Sequence, residues 1–524
     1  MAPKLHAFLT YSEIKGEKST AIEFQALLKL FSRSAVLHAC SFINTLLGSW
    51  KGSYDMKAHE ALVRNAFSPA LAENLISLKR IIFHRQQLLF VAKEALRICP
   101  SEGKNSSAPF WGGLGTVFLM ANDHLDIPPS QGKSPEDTTL NIIVRMMPSV
   151  EASHFHQYQQ KMMRSHLMLS RFTEPLRNTK LFFDVPKIFE EKTKVPLTTY
   201  ESLIFATLSR FMNLDFAKYL QNPAQFVIGE KWFEPSVVPE SQVKAFLAEV
   251  SATAEEFVQR FAVGIPTAND FTYLRDKPFF RDGDTLYPLD LSFIAEKFES
   301  GPFWRVHESL PDGDRKRFHS FWGEVFEDYM SWLLDRTTSP AINAFYPSPI
   351  YDTKEEGQVC DGIILSEDAA ILIEYKGSTF SAKAKYAYET ETLRQEIEEK
   401  LIGSEQRPKG IRQLRNAVLS LFRRDTPLKV KGVDLSKITK VIPLLITRDD
   451  LGSTFGINAY LNLRFKSLIG KERRKLRKTL TPLFCMGAED IEKISSYLCD
   501  TSLTSIIESR YKGEPQMMGY LLHG

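Results

Sequence analysis

Three residues in the segment GQVCDGIILSEDAAILIEYKGSTF have types and spacing that can do chemistry: Asp361, Glu374 and Lys376. Two apolar runs, Val359 to Leu365 and Ala370 to Tyr375, are joined by the polar turn Ser366-Glu367-Asp368-Ala369, the pattern of a β-hairpin. Folding about the centre of that turn sets Leu365 opposite Ala370, Ile363 opposite Leu372 and Asp361 opposite Glu374. Directly opposed residues hold their Cβ atoms about 4.5–5.5 Å apart. Two carboxylates so placed repel each other, and a shared divalent cation removes the repulsion. Magnesium takes oxygen ligands and commonly uses one or two carboxylates together with water and substrate phosphate. Strand alternation puts Lys376 on the face of Glu374 and turns Tyr375 towards the core. A lysine there can hold or deprotonate an attacking water and offset charge developing on a phosphate.

An Asp on one strand followed by Glu-x-Lys on the next, here Asp361 and Glu374-Tyr375-Lys376, resembles the PD-(D/E)xK nuclease superfamily. In that family a helix ahead of the strands often supplies another glutamate, and GEVFEDYMSWLL is similar to that helix. Its apolar face is Trp322, Val325, Phe326, Tyr329 and Leu333; Glu327 stands at the position the family pattern suggests, and Glu324 one turn earlier is the fallback. A glutamine on the helix after the Glu-x-Lys strand recurs in several branches, and Gln413 in GIRQLRNAVLSL resembles it, with Ala417 where a tyrosine often follows. The resemblance covers residues 313–450. It implies that Asp361, Glu374, the Tyr375 carbonyl and Glu327 bind Mg2+ or Mn2+, that Lys376 positions water, and that the substrate is nucleic acid, DNA ahead of RNA. A large helical region joined to such a domain is similar to prokaryotic antiviral-defence or mobile-element proteins. The rival expectation is a nucleic-acid-binding or assembly protein whose nuclease-like domain is not catalytic.

The elements that must position these residues are legible as two textures. Residues 1–265 read as mostly helical, with three- and four-residue apolar spacing over Ile22 to Leu47, Leu71 to Leu96 and Thr198 to Met212. The loops Pro100 to Gly113 and Pro128 to Thr138 punctuate them. This region is expected to recognise a substrate, a protein partner or a second copy of the chain. Residues 266–312 read as a connector, a hairpin turned at Asp282-Gly283 and a helix from Leu291. Residues 313–524 read as an α/β domain, which the resemblance implies is a restriction-endonuclease-like mixed sheet flanked by helices. Its expected elements are a helix over Phe318 to Leu334 and strands over Ala344 to Tyr346, Val359 to Leu365 and Ala370 to Tyr375. Helices over Tyr388 to Leu401 and Ile411 to Phe422 and a strand over Val441 to Thr447 follow.

Composition bounds these expectations without sharpening them. The chain has 524 residues, 43% apolar and 25% charged, enough for a sizeable core in more than one domain. A net charge of +3 permits a polyanionic partner but does not demand one. The five cysteines are scattered and form no C-x-x-C pair, which argues against a disulfide framework or thiolate zinc site and for a reducing compartment. The N-terminus carries no signal-peptide core, and no run reaches the roughly 18 apolar residues of a membrane span, so a cytoplasmic protein without membrane contact is expected. The run Arg464 to Lys478 gathers Arg473, Arg474 and Arg477 as candidate phosphate contacts, against the alternative of a solvated helix face. GEKST (Gly16 to Thr20) lacks the upstream glycine of a phosphate loop, GGLGT (Gly112 to Thr116) lacks a preceding strand, and His154-Phe155-His156 with His166 lacks a matching carboxylate motif.

Overall fold

The computed structural model describes residues 8–47, 56–103, 113–125, 134–153, 158–212, 226–234, 237–353, 357–425, 427–454 and 456–511. The chain folds as two compact units. One comprises Met1–Pro128, Ala152–His166 and Asp184–Pro311; the other comprises Pro129–Glu151, Leu167–Phe183 and Asp312–Gly524. Among the described residues no helix is long and apolar enough to cross a membrane.

The first unit is mainly helical. Its two long periodic stretches are each broken in two: Ala21–Leu28 with Arg33–Leu47, and Pro69–Ser77 with Arg85–Ile98. At the second break Lys79 adopts φ +52°, and the His84 ring caps the next helix by accepting from the Gln87 N–H. The 279–288 hairpin forms with Asp282 opposite Thr285, so its two loop residues are Gly283, at φ +56°, and Asp284. Rather than forming a separate connector, it is part of this unit, in a small sheet with Ile228–Gly229 and Ser251–Ala252. His166 contacts Glu201 at 3.3 Å; His154, His156 and most of the two Gly/Pro/Ser loops lie outside the described residues.

The second unit is built on helix α1 (Asp312–Thr337), strands β1 (Asn343–Pro347), β2 (Gly362–Ser366) and β3 (Ala369–Lys376), and helices α2 (Ala382–Tyr386), α3 (Thr390–Ile397) and α4 (Gly410–Phe422). After them come β4 (Lys440–Thr447), helix α5 (Ile457–Ile469) and short strands β5 (Thr479–Leu480) and β6 (Phe484–Gly487). β1, β2 and β3 pair antiparallel; β3 runs parallel to β4, and β4 runs parallel to both β5 and β6. The expected mixed sheet with flanking helices is present. β3 reads AAILIEYK and is buried along all but its last residue, as a strand covered on both faces must be. Pro443 would weaken an ordinary central strand. Here it falls between the residues that pair with β5 (Lys440, Val441) and those that pair with β6 (Leu444–Thr447).

Two stretches from early in the chain complete this unit. Leu140, Ile143, Val144 and Met147, from the helix Pro135–Ser153, join a core with Ile411, Leu414 and Ile457. Arg394 pairs with Glu136 at 3.0 Å, and Thr390 Oγ1 meets Asn141 Oδ1 at 2.7 Å. Phe172 and Phe183 pack edge-on against Tyr329 and Phe318 of α1, at centroid distances of 5.8 and 5.4 Å. The buried face of α1 carries Trp322, Val325, Phe326 and Tyr329 as expected; Leu334, not Leu333, completes it.

Candidate active site

The hairpin register is Ile363 to Leu372 and Leu365 to Ala370, closed by the loop Glu367-Asp368 with Glu367 at φ +58°. The ladder stops at Gly362 opposite Ile373. Asp361 then turns out of it. Its N–H donates to the Ile373 carbonyl at 3.0 Å, its Oδ2 accepts from the Tyr375 N–H at 2.7 Å, and its Oδ1 accepts from Gln358 Nε2 at 3.2 Å. Asp361 and Glu374 are therefore not a flat cross-strand pair, because the Asp361 carboxylate is fastened to the backbone of β3 one residue further on. Gln358, which the sequence did not single out, is the second clamp on that carboxylate.

Glu374 is 1% exposed, and Lys376 donates to its Oε2 at 2.9 Å. The same ammonium donates to the Tyr375 carbonyl at 2.8 Å and lies 4.0 Å from Asp361 Oδ2. The Tyr375 ring is buried. Burial pushes the Glu374 carboxyl up to about 8; Lys376 opposes that rise and Asp361 adds to it. Burial alone would lower Lys376, but Glu374 and then Asp361 outweigh it and hold the ammonium above its ordinary value.

Helix α1 brings Glu327 from the other side of the strand end. Its carboxyl is also pushed up to about 8, by burial first, then by Asp361 and Glu324. Glu324 is raised by partial desolvation and then by Asp328 and Asp361, so the fallback glutamate faces the same cluster. The helix can approach because Gly377, directly after β3, meets Gly323: a Cβ on Gly377 would lie 3.1 Å from Gly323 Cα and 3.5 Å from Phe326 Cβ. A Cβ on Gly323 itself would have nothing within 4 Å. Gly377→Ala should therefore push α1 outward with Glu327 and lower any activity of the site by about tenfold, since misplacement of about 1 Å can cost more than that. Gly323→Ala should keep activity and stabilise the helix by about 0.5–1 kcal/mol. Steady-state rates and melting curves of the two variants, compared side by side, check both.

Helix α4 closes the opposite face. Gly410 is its first residue, at φ +23°, and a Cβ there would lie 2.8 Å from the Leu401 carbonyl oxygen and 3.2 Å from Lys376 Cε. Gln413, half-buried, follows Gly410 by three residues and shares its helix face.

Arg473, Arg474 and Arg477 do not join this group. β4 pairs with Lys376 through Thr447 and with Thr479 through Lys440, so the basic run sits at the far end of β4, about 23 Å away at 3.3 Å per residue. There it serves the end of α4. Arg477 Nη2 donates to the Leu421 carbonyl at 3.3 Å, Arg424 Nε to the Leu476 carbonyl at 3.2 Å, and Arg473 Nη2 to the Leu480 carbonyl at 3.2 Å. A cation at a helix C-terminus offsets its negative dipole end, which gives Arg477 a structural role there.

Whether a divalent cation fits is a question of donors and charge. Among the described residues no three His, Cys, Asp or Glu side chains are arranged as a metal-ligand cluster. The oxygens of Asp361, Glu374 and the Tyr375 carbonyl instead surround the Lys376 ammonium. They are hard donors of the kind Mg2+ and Mn2+ take. With Glu327 added, three carboxyl groups stand against one lysine, and the two glutamates are raised by burial first and then by neighbouring carboxyls. In donor chemistry, without a formed ligand cluster among the described residues, these residues suit such a cation. Comparison of the chain with protein-family models, with curated proteins and with solved structures finds no match.

Proposed function

We propose that the second unit is a divalent-metal-dependent nuclease of the PD-(D/E)xK type, hydrolysing phosphodiester bonds in nucleic acid, DNA ahead of RNA. The observation that supports it most is the convergence of three oxygen donors on one half-buried cation at a strand end, with a further carboxyl brought in by α1.

Asp361, Glu374, Glu327 and the Tyr375 carbonyl would hold Mg2+ or Mn2+, which when bound polarises the scissile phosphate and lowers the pKa of water. The chain's own residues do the rest. Tyr375 N–H and Gln358 fix the Asp361 carboxylate, so it is oriented before substrate arrives. Glu374 holds Lys376 with its ammonium at the open end of β3. From there the ammonium can hold a water for in-line attack and offset the charge that grows on the phosphate oxygens. The first unit would select the substrate or a protein partner.

The test is cleavage of plasmid and of labelled DNA and RNA oligonucleotides with Mg2+, compared with EDTA and with Asp361→Ala. Wild-type cleavage that both EDTA and the substitution abolish is the expected result. No cleavage by the wild type, or equal cleavage by Asp361→Ala, overturns the catalytic reading and leaves a nucleic-acid-binding or assembly protein.

A further inference from the structure

The geometry points to the short hairpin Ile402–Lys409, through Arg407 and Lys409, as the element that grips the nucleic-acid backbone beside the cleavage site. The assignment rests on the nuclease reading above. Gly403 bridges to Pro408, Ser404 N–H donates to the Arg407 carbonyl at 3.1 Å, and Lys409 N–H donates to the Ile402 carbonyl at 3.1 Å. The Arg407 N–H returns a bond to Ser404 Oγ at 3.1 Å, and Gly403 supplies φ +72°. The hairpin is thus defined by its own backbone and does not need a ligand to order it.

Its position gives it meaning. Lys409 is the residue before Gly410, whose Cα side lies against the Lys376 stem, with 3.2 Å between a Gly410 Cβ and Lys376 Cε. Adjacent Cα atoms are about 3.8 Å apart, so Lys409 starts within one residue of the proposed water-holding lysine. Arg407 and Lys409 are exposed. The acidic residue of the turn, Glu405, is drawn back onto α4 by Arg412. Nearby lysines are engaged elsewhere: Lys385 with Asp449 at 2.9 Å, and Lys400 with Glu396 at 2.6 Å. What the hairpin offers beside the site is therefore two cations on a rigid turn, suited to phosphates flanking the one being cut. The larger basic run lies at the other end of the same helix, roughly 18 Å away at 1.5 Å per residue.

The experiment is fluorescence anisotropy of the full chain with fluorescein-labelled DNA and RNA in EDTA, at several KCl concentrations. Arg407→Ala/Lys409→Ala should weaken binding about tenfold or more and flatten the log K against log salt slope by about 2, one per lost phosphate contact. Arg407→Lys/Lys409→Arg should bind as wild type, which separates lost charge from lost fold. Arg473→Ala/Arg474→Ala/Arg477→Ala should raise KM for cleavage by less than about threefold. Wild-type affinity and slope in the alanine pair overturn the hairpin assignment, and the nuclease reading survives if that protein still cuts. Loss of affinity in the triple variant alone also overturns it, in favour of the distant patch. A wild type that binds neither DNA nor RNA overturns both.

Discussion

Lys376→Met is expected to reduce cleavage by at least about 10³-fold and to melt well below wild type at about pH 9.5, above the Glu374 value of about 8, but close to wild type at pH 5. Methionine keeps most of the stem that packs against Gly410 and removes only the charge. That charge lies 2.9 Å from Glu374 Oε2 and 4.0 Å from Asp361 Oδ2. Without that partner a buried carboxylate is uncompensated, and the carboxyl avoids the cost by keeping its proton to higher pH. The pH dependence follows from the sign of the shift. Glu374 is pushed up to about 8 even with Lys376 present, so without Lys376 it rises further. A folded state whose carboxyl titrates above its unfolded value binds more protons, and its stability falls as pH rises through that window. At pH 5 the carboxyl is protonated and the missing lysine matters little. Melting in EDTA at the two pH values decides the point; an equal deficit at both would show that Lys376 acts by packing and not by charge.

Glu327→Gln is expected to work in the opposite sense on stability, raising the melting temperature of the metal-free protein at pH 8 while cleavage falls by about 10²-fold or more. Glu327 is held up to about 8 by burial, Asp361 and Glu324. In the unfolded chain it titrates near 4.3. Between those values the folded state must keep a proton that the unfolded state has released, so the acid destabilises the fold increasingly as pH rises. Glutamine has the same shape and no charge to desolvate. The gain should be on the order of 2 kcal/mol at pH 8, a rise of several degrees for a unit of this size, and should vanish at pH 4. Mg2+ should narrow the difference by stabilising wild type more than the variant. A variant less stable than wild type at pH 8 in EDTA would show that the Glu327 charge is already compensated.

The candidate site was legible where strand pattern governs it. The polar turn fixed the register of Ile363 with Leu372, and alternation set Glu374 and Lys376 on one face. Asp361 was placed in the right neighbourhood for a partly different reason, since its bond to the Tyr375 N–H depends on the strand ending at Gly362. Nothing in a one-dimensional pattern marks where a ladder stops. The roles of Gly377 and Gly410 were hidden for the same reason, being set by a helix glycine 54 residues earlier and a lysine 34 residues earlier. β6 escaped notice because FCMG is too short to show a period. The distance of the basic run from the site was hidden because charge clustering says nothing about distance, and only the pairing of β4 with β5 shows how far it lies from Lys376. The Pro408-Lys409-Gly410 sequence did carry a turn signal next to the site.

The helix Pro135–Ser153 finds its partners very late in the chain: Asn141 meets Thr390, 249 residues on, and Glu136 meets Arg464, 328 residues on. At a synthesis rate of about 5–20 residues per second, that helix waits roughly 15–65 s on the ribosome before Arg464 is made. Until Val359 and the residues after it are made, Leu140, Ile143 and Met147 have no core to enter, and Ile457, Tyr460 and Leu461 of α5 complete it last but for the strands that follow. The second unit is therefore completed only after α5 has been made, and a truncated chain that stops before α5 would not present a finished unit. In a cell this holds back any activity of the site until α5 has left the ribosome.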